Sequence, residues 1–597
     1  MAPRTIFQVL AEAARQHGDA PALYQPTGGD PKYQVYSWQE FRRAAEEIAA
    51  GLYRTGLRKG DIVALASETR AELYFADLGI MALGAISVAL YTSYPIAEQV
   101  RTLGDCDAQA VFVEDPNALT RLRSQADPPL TVWWILLTGK ADGALTLAEL
   151  RRDGRAALAD DPTLVERLQA GVAPADPAIL YLTSGATGTP KMALVSHQAV
   201  ISNVQMGPPV LSTSAQDAML VFLPSAHITQ RLVLELLPIL CGIPVWFSEG
   251  LLHLAEELRA VEPTIFVAPP RLWERVYTSI RLELGKRPRW VQRLFEAALA
   301  LGRQAVRRRE RGQPVAAWRR LLLALADRFI FRQVRARFGR RIRVCGSGSA
   351  PLGRELAEFF TAIGLPLVEG YGLTEGGVVT LNPLDRPRAG SIGRPLPGVE
   401  ACLAEDGELL LRGPTLFSGY YRDPAATAAV LRNGWLHTGD LAEIDPDGYL
   451  YITGRKKELI VASNGQKIFP ALLEGYFRME PIISQVLLVG DRRPYIAALL
   501  TVNSAAAETL EGMESWKGKP PEEIACAPSV LAEIECAVAR VNQRLAPFEQ
   551  IRRYRVLKRD FSVEEGELTA TLKLRRSRLL ERYRDTIAEL YTARAAS

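Results

Sequence analysis

Between residues near 37 and 270, helical and strand patterns alternate, and that alternation restricts the fold more than any other feature. WQEFRRAAEEIAAGLYRTG (38–56) carries its apolar residues at helical spacing, whereas DIVALAS (61–67) and AQAVFVED (108–115) are short apolar runs bounded by turn residues. The pattern predicts parallel sheets covered by helices. The longest apolar stretch, LYFADLGIMALGAISVALYTSYPI (73–96), is long enough to span a bilayer. Asp77 interrupts it, however, and Gly84 and Tyr91-Thr92-Ser93 break it into a helix and a strand. It is read as a buried helix–strand unit. RLVLELLPILCGIPVWF (231–247), with Arg231, Glu235 and Pro238, is read the same way.

Residues 276–340 are different: long, helical and rich in arginine. Short strands follow in RIRVCGSG (341–348), LPLVEGYG (365–372) and GELLLRG (407–413). After GYLYITG (448–454) the pattern changes again. From 455 onward it suggests a small α+β unit, with strands in SQVLLVGD and YIAALLTVN, a proline-rich insertion near 515–528, and helices around 529–545 and 573–590. A chain of 597 residues has room for two or more domains.

Composition removes several function classes. A net charge of +4 is too slight to imply a nucleic-acid partner. The six cysteines lack C-x-x-C pairs, which fits a reducing compartment and argues against a disulfide frame or structural zinc. The five histidines are dispersed, so no metal cluster is expected. The opening MAPRTIFQVLAEAARQHGDAPAL is not a signal peptide, because Glu12, Arg15 and Gln16 interrupt it at helical spacing. The expected location is cytoplasmic. No feature specifies an oligomeric state.

YLTSGATGTPK (181–191) carries chemistry. Gly185 and Gly188 let the backbone expose N–H groups, Thr183, Ser184 and Thr187 add hydroxyls, and Lys191 adds a positive charge. This content suits a phosphate. The stretch is not the G-x-x-x-x-G-K-[ST] phosphate loop, since two residues separate its glycines and Pro190 precedes the lysine. A plain surface loop after a strand remains the alternative.

Further stretches follow in order: YGLTEGG (371–377), GWLHTGDLAEIDPDGYLYITGRKKELIVASNGQKIFP (434–470) and ELTATLKLRR (567–576). Read with YLTSGATGTPK, they resemble the adenylate-forming (AMP-binding) ligase superfamily, from about residue 5 to 590. LPSAHITQR (223–231) and EPTIFVAPPRLWERVY (262–277) are similar to segments of the long-chain fatty acyl-CoA synthetases, as is the basic helical insertion.

The resemblance implies an α/β fold: a large N-terminal domain of helix-covered sheets with a small barrel-like subdomain (1–454), then a small mobile α+β C-terminal domain (455–597). It implies ATP, Mg²⁺ and CoA as cofactor and substrates and a fatty acid as the acid. The acid is first joined to AMP with release of pyrophosphate, then passed to the CoA thiol. Thr183, Ser184, Gly185, Thr187, Gly188 and Lys191 would cradle the β- and γ-phosphates. Glu375 would hold Mg²⁺, and Thr374 would touch the α-phosphate. Gly348, Ser349 and Ala350, with Glu369, Gly370 and Tyr371, would flank the adenine and the acyl carbonyl. Asp440 would accept from the ribose hydroxyls, assisted by Arg455. Lys573 would reach both the carboxylate and the α-phosphate, and His227 would line the acyl pocket. Lys457 falls at the hinge position, and Gly465 sits where a side chain would obstruct the pantetheine tunnel.

Three positions depart from the family pattern: Ala186 removes a hydroxyl from the phosphate loop, Met192-Ala193 replace Gly-Val, and Ala570 replaces a proline near the lysine. None removes a charged group. Transfer of the acyl group to a carrier-protein phosphopantetheine, or a non-catalytic nucleotide- or lipid-binding role, are the alternative readings. The arginine-rich region 286–343 has two readings as well. It is a solvated helical face, or a peripheral contact with an anionic membrane at the inner face, where Leu321–Leu325 and Phe329–Phe331 stand beside Arg319, Arg320, Arg328 and Arg332.

Overall fold

The computed structural model describes residues 4–592 apart from 31, 127–129, 184–190, 464, 511, 514–515, 517 and 570–571. The alternating half of the chain builds two mixed sheets. In the eight-stranded sheet, Pro177–Thr183, Ile86–Ala89, Ile62–Ala66, Ala108–Val113, Trp133–Leu136 and Leu145–Thr146 are parallel neighbours. In the nine-stranded sheet the parallel run is Leu367–Leu373, Val344–Ser347, Ile265–Ala268, Met219–Val221, Val245–Phe247 and Pro21–Pro26. The expected parallel sheets hold at their centres but not at their edges. Lys191–Ser196, Gly377–Leu381 and Tyr33–Ser37 each return antiparallel beside the strand before them. Such short connections leave no room for the crossover that a parallel return needs.

The apolar run 73–96 is a helix, Ala71–Leu83, ended by Gly84 at φ 80°, then the strand Ile86–Ala89. Every residue of the helix except Glu72 is buried. Asp77 sits in its middle and is paired with Arg231, which comes from the second apolar stretch. Ser87 donates to the same carboxylate oxygen, and Arg231 Nη2 lies 3.1 Å from Ser87 Oγ. The two charges that break the apolar runs are therefore partners. Arg231 belongs to a π-helical segment, Gln230–Leu236, and Glu235 in that segment is buried too. Burial, with Asp77 close by, holds the Glu235 carboxyl well above the usual range, so it stays protonated.

An antiparallel five-stranded sheet follows: Glu400–Leu403, Glu408–Arg412, Trp435–Ile444, Leu431–Arg432 and Leu450–Arg455. This is the barrel-like subdomain. A single 3₁₀ turn, Lys456–Glu458, leads from it into a smaller lobe. There Ile483–Val489 and Ile551–Val556 flank Ile496–Val502, with helices Pro470–Arg478 and Pro528–Asn542. The buried apolar clusters divide cleanly. Two draw their buried members only from residues after 459 and three only from residues up to 450. Between the lobes Met479 packs against an apolar cluster of the large lobe, and the other named contacts are polar. Arg271 donates to the Ser484 carbonyl at 3.0 Å, Arg478 pairs with Glu274 at 3.2 Å, and Arg575 pairs with Glu98 at 3.5 Å.

Arg231→Met should destabilise the large lobe by about 3–5 kcal/mol, because it strands a buried carboxylate. Adding Asp77→Leu should recover most of the loss. Chemical denaturation followed by fluorescence reads both, and a double variant no more stable than the single would refute the pairing.

Candidate active site

The carboxyl ends of the parallel strands of both sheets open on one cavity of about 1200 Å³. Ligands of open α/β sheets bind at that end of the strands. The volume exceeds the roughly 300–1,000 Å³ of a single small-molecule site, so there is room for more than one substrate.

One side is built by two strand returns. Thr183 ends its strand and Lys191 opens the next, and the two are cross-strand partners with Thr183 Oγ1 donating to the Lys191 carbonyl at 3.1 Å. Both line the cavity. Ser184, Gly185, Thr187 and Gly188, with Ala186, lie outside the described residues. Met192 and Ala193 are core residues of the second strand and are absent from the cavity wall. In the other return, Thr374 and Glu375 occupy the turn between Leu367–Leu373 and Gly377–Leu381, and both line the cavity. Tyr420 joins the two. Its hydroxyl donates to Glu375 Oε1 at 2.6 Å, and the Lys191 ammonium lies 4.7 Å from its ring centre. Sequence reasoning passed over Tyr420. Its role depends on Gly419–Tyr420 pairing with Lys191–Ser196, a long-range contact for which GYYRD gives no local signal.

Opposite stand Asp440 and Arg455, cross-strand partners in the five-stranded sheet. Arg455 Nε donates to Asp440 Oδ1 at 2.8 Å, and the Tyr371 hydroxyl donates to Oδ2. Asp440 is only 2% exposed. Gly348, Ser349 and Ala350 continue from Val344–Ser347, and a Cβ on Gly348 would stand 3.2 Å from the Gly370 carbonyl, so the two backbones approach closely here. Glu369 accepts from the Leu352 N–H at 3.0 Å, and its other oxygen is buried without a partner among the described residues. Burial pushes this carboxyl up to about 7.

His227 is held at both ring nitrogens. The Thr229 N–H donates to Nδ1 at 3.2 Å, so Nδ1 carries the lone pair. The proton then sits on Nε2, 3.1 Å from Ser349 Oγ. Burial, then the nearby Lys573, push its pKa down to about 3. At neutral pH it is an uncharged donor, unsuited to take a proton.

Lys573 reaches the cavity from the small lobe. Thr569 grips it: the Thr569 N–H donates to the Lys573 carbonyl at 2.8 Å, and the Lys573 N–H donates to Thr569 Oγ1 at 3.1 Å. Leu572 beside it has φ 61°, a left-handed conformation that L residues adopt only when held there. Ala570 lies outside the described residues. Lys573 keeps access to the cavity's water but is crowded by protein. That desolvation, then Arg455, lower its pKa to about 8, against the opposing pull of Asp440 and Glu458.

Lys457, in the 3₁₀ turn, lines the same cavity. Gly465 does not. It sits at φ 82° in the turn joining Ile460–Val461 to Lys467–Ile468, its N–H donates to the Ala462 carbonyl at 2.9 Å, and a Cβ there would meet nothing within 4 Å. In this arrangement its glycine answers to backbone conformation rather than to a neighbour. An apolar part of the wall includes Val210, Leu211, Leu232, Val233, Leu237 and Val267. Among the described residues no three His, Cys, Asp or Glu side chains gather as a metal cluster.

The family described as AMP-binding enzyme matches residues 10–421, and its C-terminal domain matches residues 457–595. The long-chain-fatty-acid–CoA ligase FadD15 of Mycobacterium bovis is 34% identical over 604 residues, 96% of this chain and 97% of that one. Among solved structures, the adenylation domain of a carboxylate reductase from Mycobacterium chelonae superposes with a TM-score of 0.75 at 22% identity, over 99% of this chain and 92% of that one. ATP-bound MatB from Rhodopseudomonas palustris gives 0.67 at 20%, over 98% and 100%.

Lys573 should lose its proton near pH 8 rather than near the ordinary 10.4. Amine labelling across pH, read by mass spectrometry on its peptide, measures this, and Asp440→Asn should move the midpoint lower. His227 should show no titration between about pH 5 and 9 by NMR. A midpoint at the ordinary lysine value would contradict the crowding described.

Proposed function

This chain belongs to the AMP-binding enzyme family, and we propose that it uses ATP to join a long-chain fatty acid to coenzyme A. It is an acid–thiol ligase of the acyl-CoA ligase kind. The choice of a long-chain acid rests on one observation: a single cavity carries a charged, phosphate-suited end and an apolar wall from Val204 to Leu237.

A carboxylate resists attack by a thiol because oxide would have to leave. Its oxygen instead attacks the α-phosphorus of ATP. The new C–O–P bond forms as the bond to pyrophosphate breaks. Two anions must meet, and positioning with charge stabilisation dominates such chemistry. Protonated Lys573 would stand between them. Lys191 and Thr183, with Ser184, Gly185, Thr187 and Gly188, would take the terminal phosphates, with Thr374 at the α-phosphate. Asp440, freed from the Tyr371 hydroxyl, would accept from the ribose. The residues present fit Mg²⁺. Glu375 spends one oxygen on Tyr420 and leaves the other without a partner among the described residues, and a hard cation bound beside nucleotide phosphates takes few protein oxygens. When bound, Mg²⁺ would offset phosphate charge.

In the second step the CoA thiolate attacks the anhydride carbonyl. The C–S bond forms, AMP leaves, and the thiol proton passes to solvent. This step needs the lysine out of the way. The small lobe would turn about Lys456–Glu458, withdrawing Lys573 and bringing the Gly465 turn to the pantetheine. Support comes from the lobes' separate cores and their polar contacts, the kind of interface across which domains move.

Given ATP and acids of graded length, the protein should release pyrophosphate with the longer ones and form thioester only when CoA is added. Release of neither pyrophosphate nor AMP with any acid would overturn the reading. Lys573→Ala should slow acyl-AMP formation by about 100-fold or more while sparing thioester formation from supplied acyl-AMP, and Gly465→Leu should do the reverse. Because Lys573 acts protonated, kcat/KM for acyl-AMP formation should fall as pH rises through about 8.

A further inference from the structure

The helix Ala317–Ala326 has no buried residue. Trp318, Leu321, Leu322 and Leu325 are 58%, 64%, 45% and 46% exposed, and Phe329 beyond it is 63% exposed. At 100° per residue these five fall within an arc of about 100°, a continuous apolar stripe turned to water. Phe331, expected on the same stripe, is instead buried against Phe295 and does not belong to it. Seven of the eighteen exposed large apolar side chains among the described residues lie between Trp290 and Phe329, so the stripe is a concentration and not ordinary scatter.

Charge frames the stripe. Residues 286–343 contain eighteen Lys and Arg against three acidic residues, in a chain whose net charge is +4. The remainder of the protein is therefore net negative, and the positive charge is localised here. All three acidic residues are engaged: Glu296 by Arg281, Glu310 by Arg354 and Asp327 by Arg335. Arg319 packs its guanidinium 5.0 Å from the Trp318 ring and Arg328 lies 6.0 Å from the Phe329 ring, one at each end of the stripe.

We propose that this helix is a docking surface for an anionic phospholipid bilayer, lying in the interface with its stripe in the acyl boundary and its arginines on lipid phosphates. An apolar stripe bordered by arginines is the pattern that binds there, and charge attraction adds to apolar burial. The contact is peripheral: among the described residues no helix is long and apolar enough to cross a membrane. A second copy of the chain fits worse, because two faces of equal positive charge would oppose each other. Nucleic acid would satisfy the arginines and leave the leucines in water.

Flotation of the full-length protein with phosphatidylcholine vesicles, with and without phosphatidylglycerol, tests the proposal. Binding should be about tenfold or more stronger to the anionic vesicles and should fall at high salt. Leu321→Ser with Leu325→Ser removes exposed side chains only, so folding and ATP-dependent pyrophosphate release in detergent-free buffer should be unchanged while vesicle binding drops about tenfold. Arg320→Ser with Arg328→Ser should reduce the preference for anionic lipid. Absence of binding to either vesicle would overturn the proposal. So would binding that the leucine variant leaves intact, which would make the region a general polyanion patch. Sedimentation showing a dimer that the leucine variant dissolves, without vesicle binding, would assign the stripe to a second copy. Each readout is independent of whether the acid is a fatty acid.

Discussion

The buried Asp77–Arg231 pair ties the two large mixed sheets together. Asp77 and Ser87 belong to a helix and strand of the eight-stranded sheet, and Arg231 lies between two strands of the nine-stranded one. The pair occupies one side of the segment that begins at His227. From the other side Leu232, Val233 and Leu237 face the cavity. Removing either charge leaves the other stranded in an apolar interior, so the segment has one stable placement. The π-helical winding at Gln230–Leu236 fits this double duty, since such winding recurs where a helix must re-aim side chains at a site. The apolar wall and the His227–Ser349 hydrogen bond both inherit their position from it.

Electrostatics in the cavity runs the other way, with charge held ready rather than satisfied. Lys191, Arg455 and Lys573 face one space, and Asp440 is the carboxylate that Arg455 engages. The lowered pKa of Lys573 records its crowding first and then the nearby Arg455, against the pull of Asp440 and Glu458. Tyr371 and Tyr420 occupy the carboxylates Asp440 and Glu375 with hydroxyls. A hydroxyl yields to a ribose or rearranges beside a cation more readily than a charged partner would, because charge-assisted pairs are the stronger ones.

Much of this was legible in the sequence. Asp77, Gly84 and Arg231 marked the apolar runs as interior rather than membrane-spanning, and the ordered motifs named the residues that meet in the cavity. What escaped depends on contacts far apart in the chain. The antiparallel edges follow from connection length, and period alone cannot tell a parallel strand from its antiparallel neighbour. Tyr420 is a cavity residue because a two-residue strand reaches Leu194 and Ala193. Thr569 matters because its hydroxyl and amide clasp Lys573, a loop closure that the letters TATLK do not announce. Gly465 was read for the space it leaves, whereas its turn already demands a left-handed backbone.

Arg455 ends its strand immediately before the 3₁₀ turn, and it stays with the large lobe through Asp440. Lys573 belongs to the other lobe. Bringing them into one space therefore sets like charges against each other, a repulsion that Asp440 and Glu458 oppose. On the function proposed here, the triphosphate would be the counterion that holds the lysine beside Arg455. Once pyrophosphate departed, most of that counter-charge would go with it, and the repulsion that was masked would become the spring that reopens the lobes.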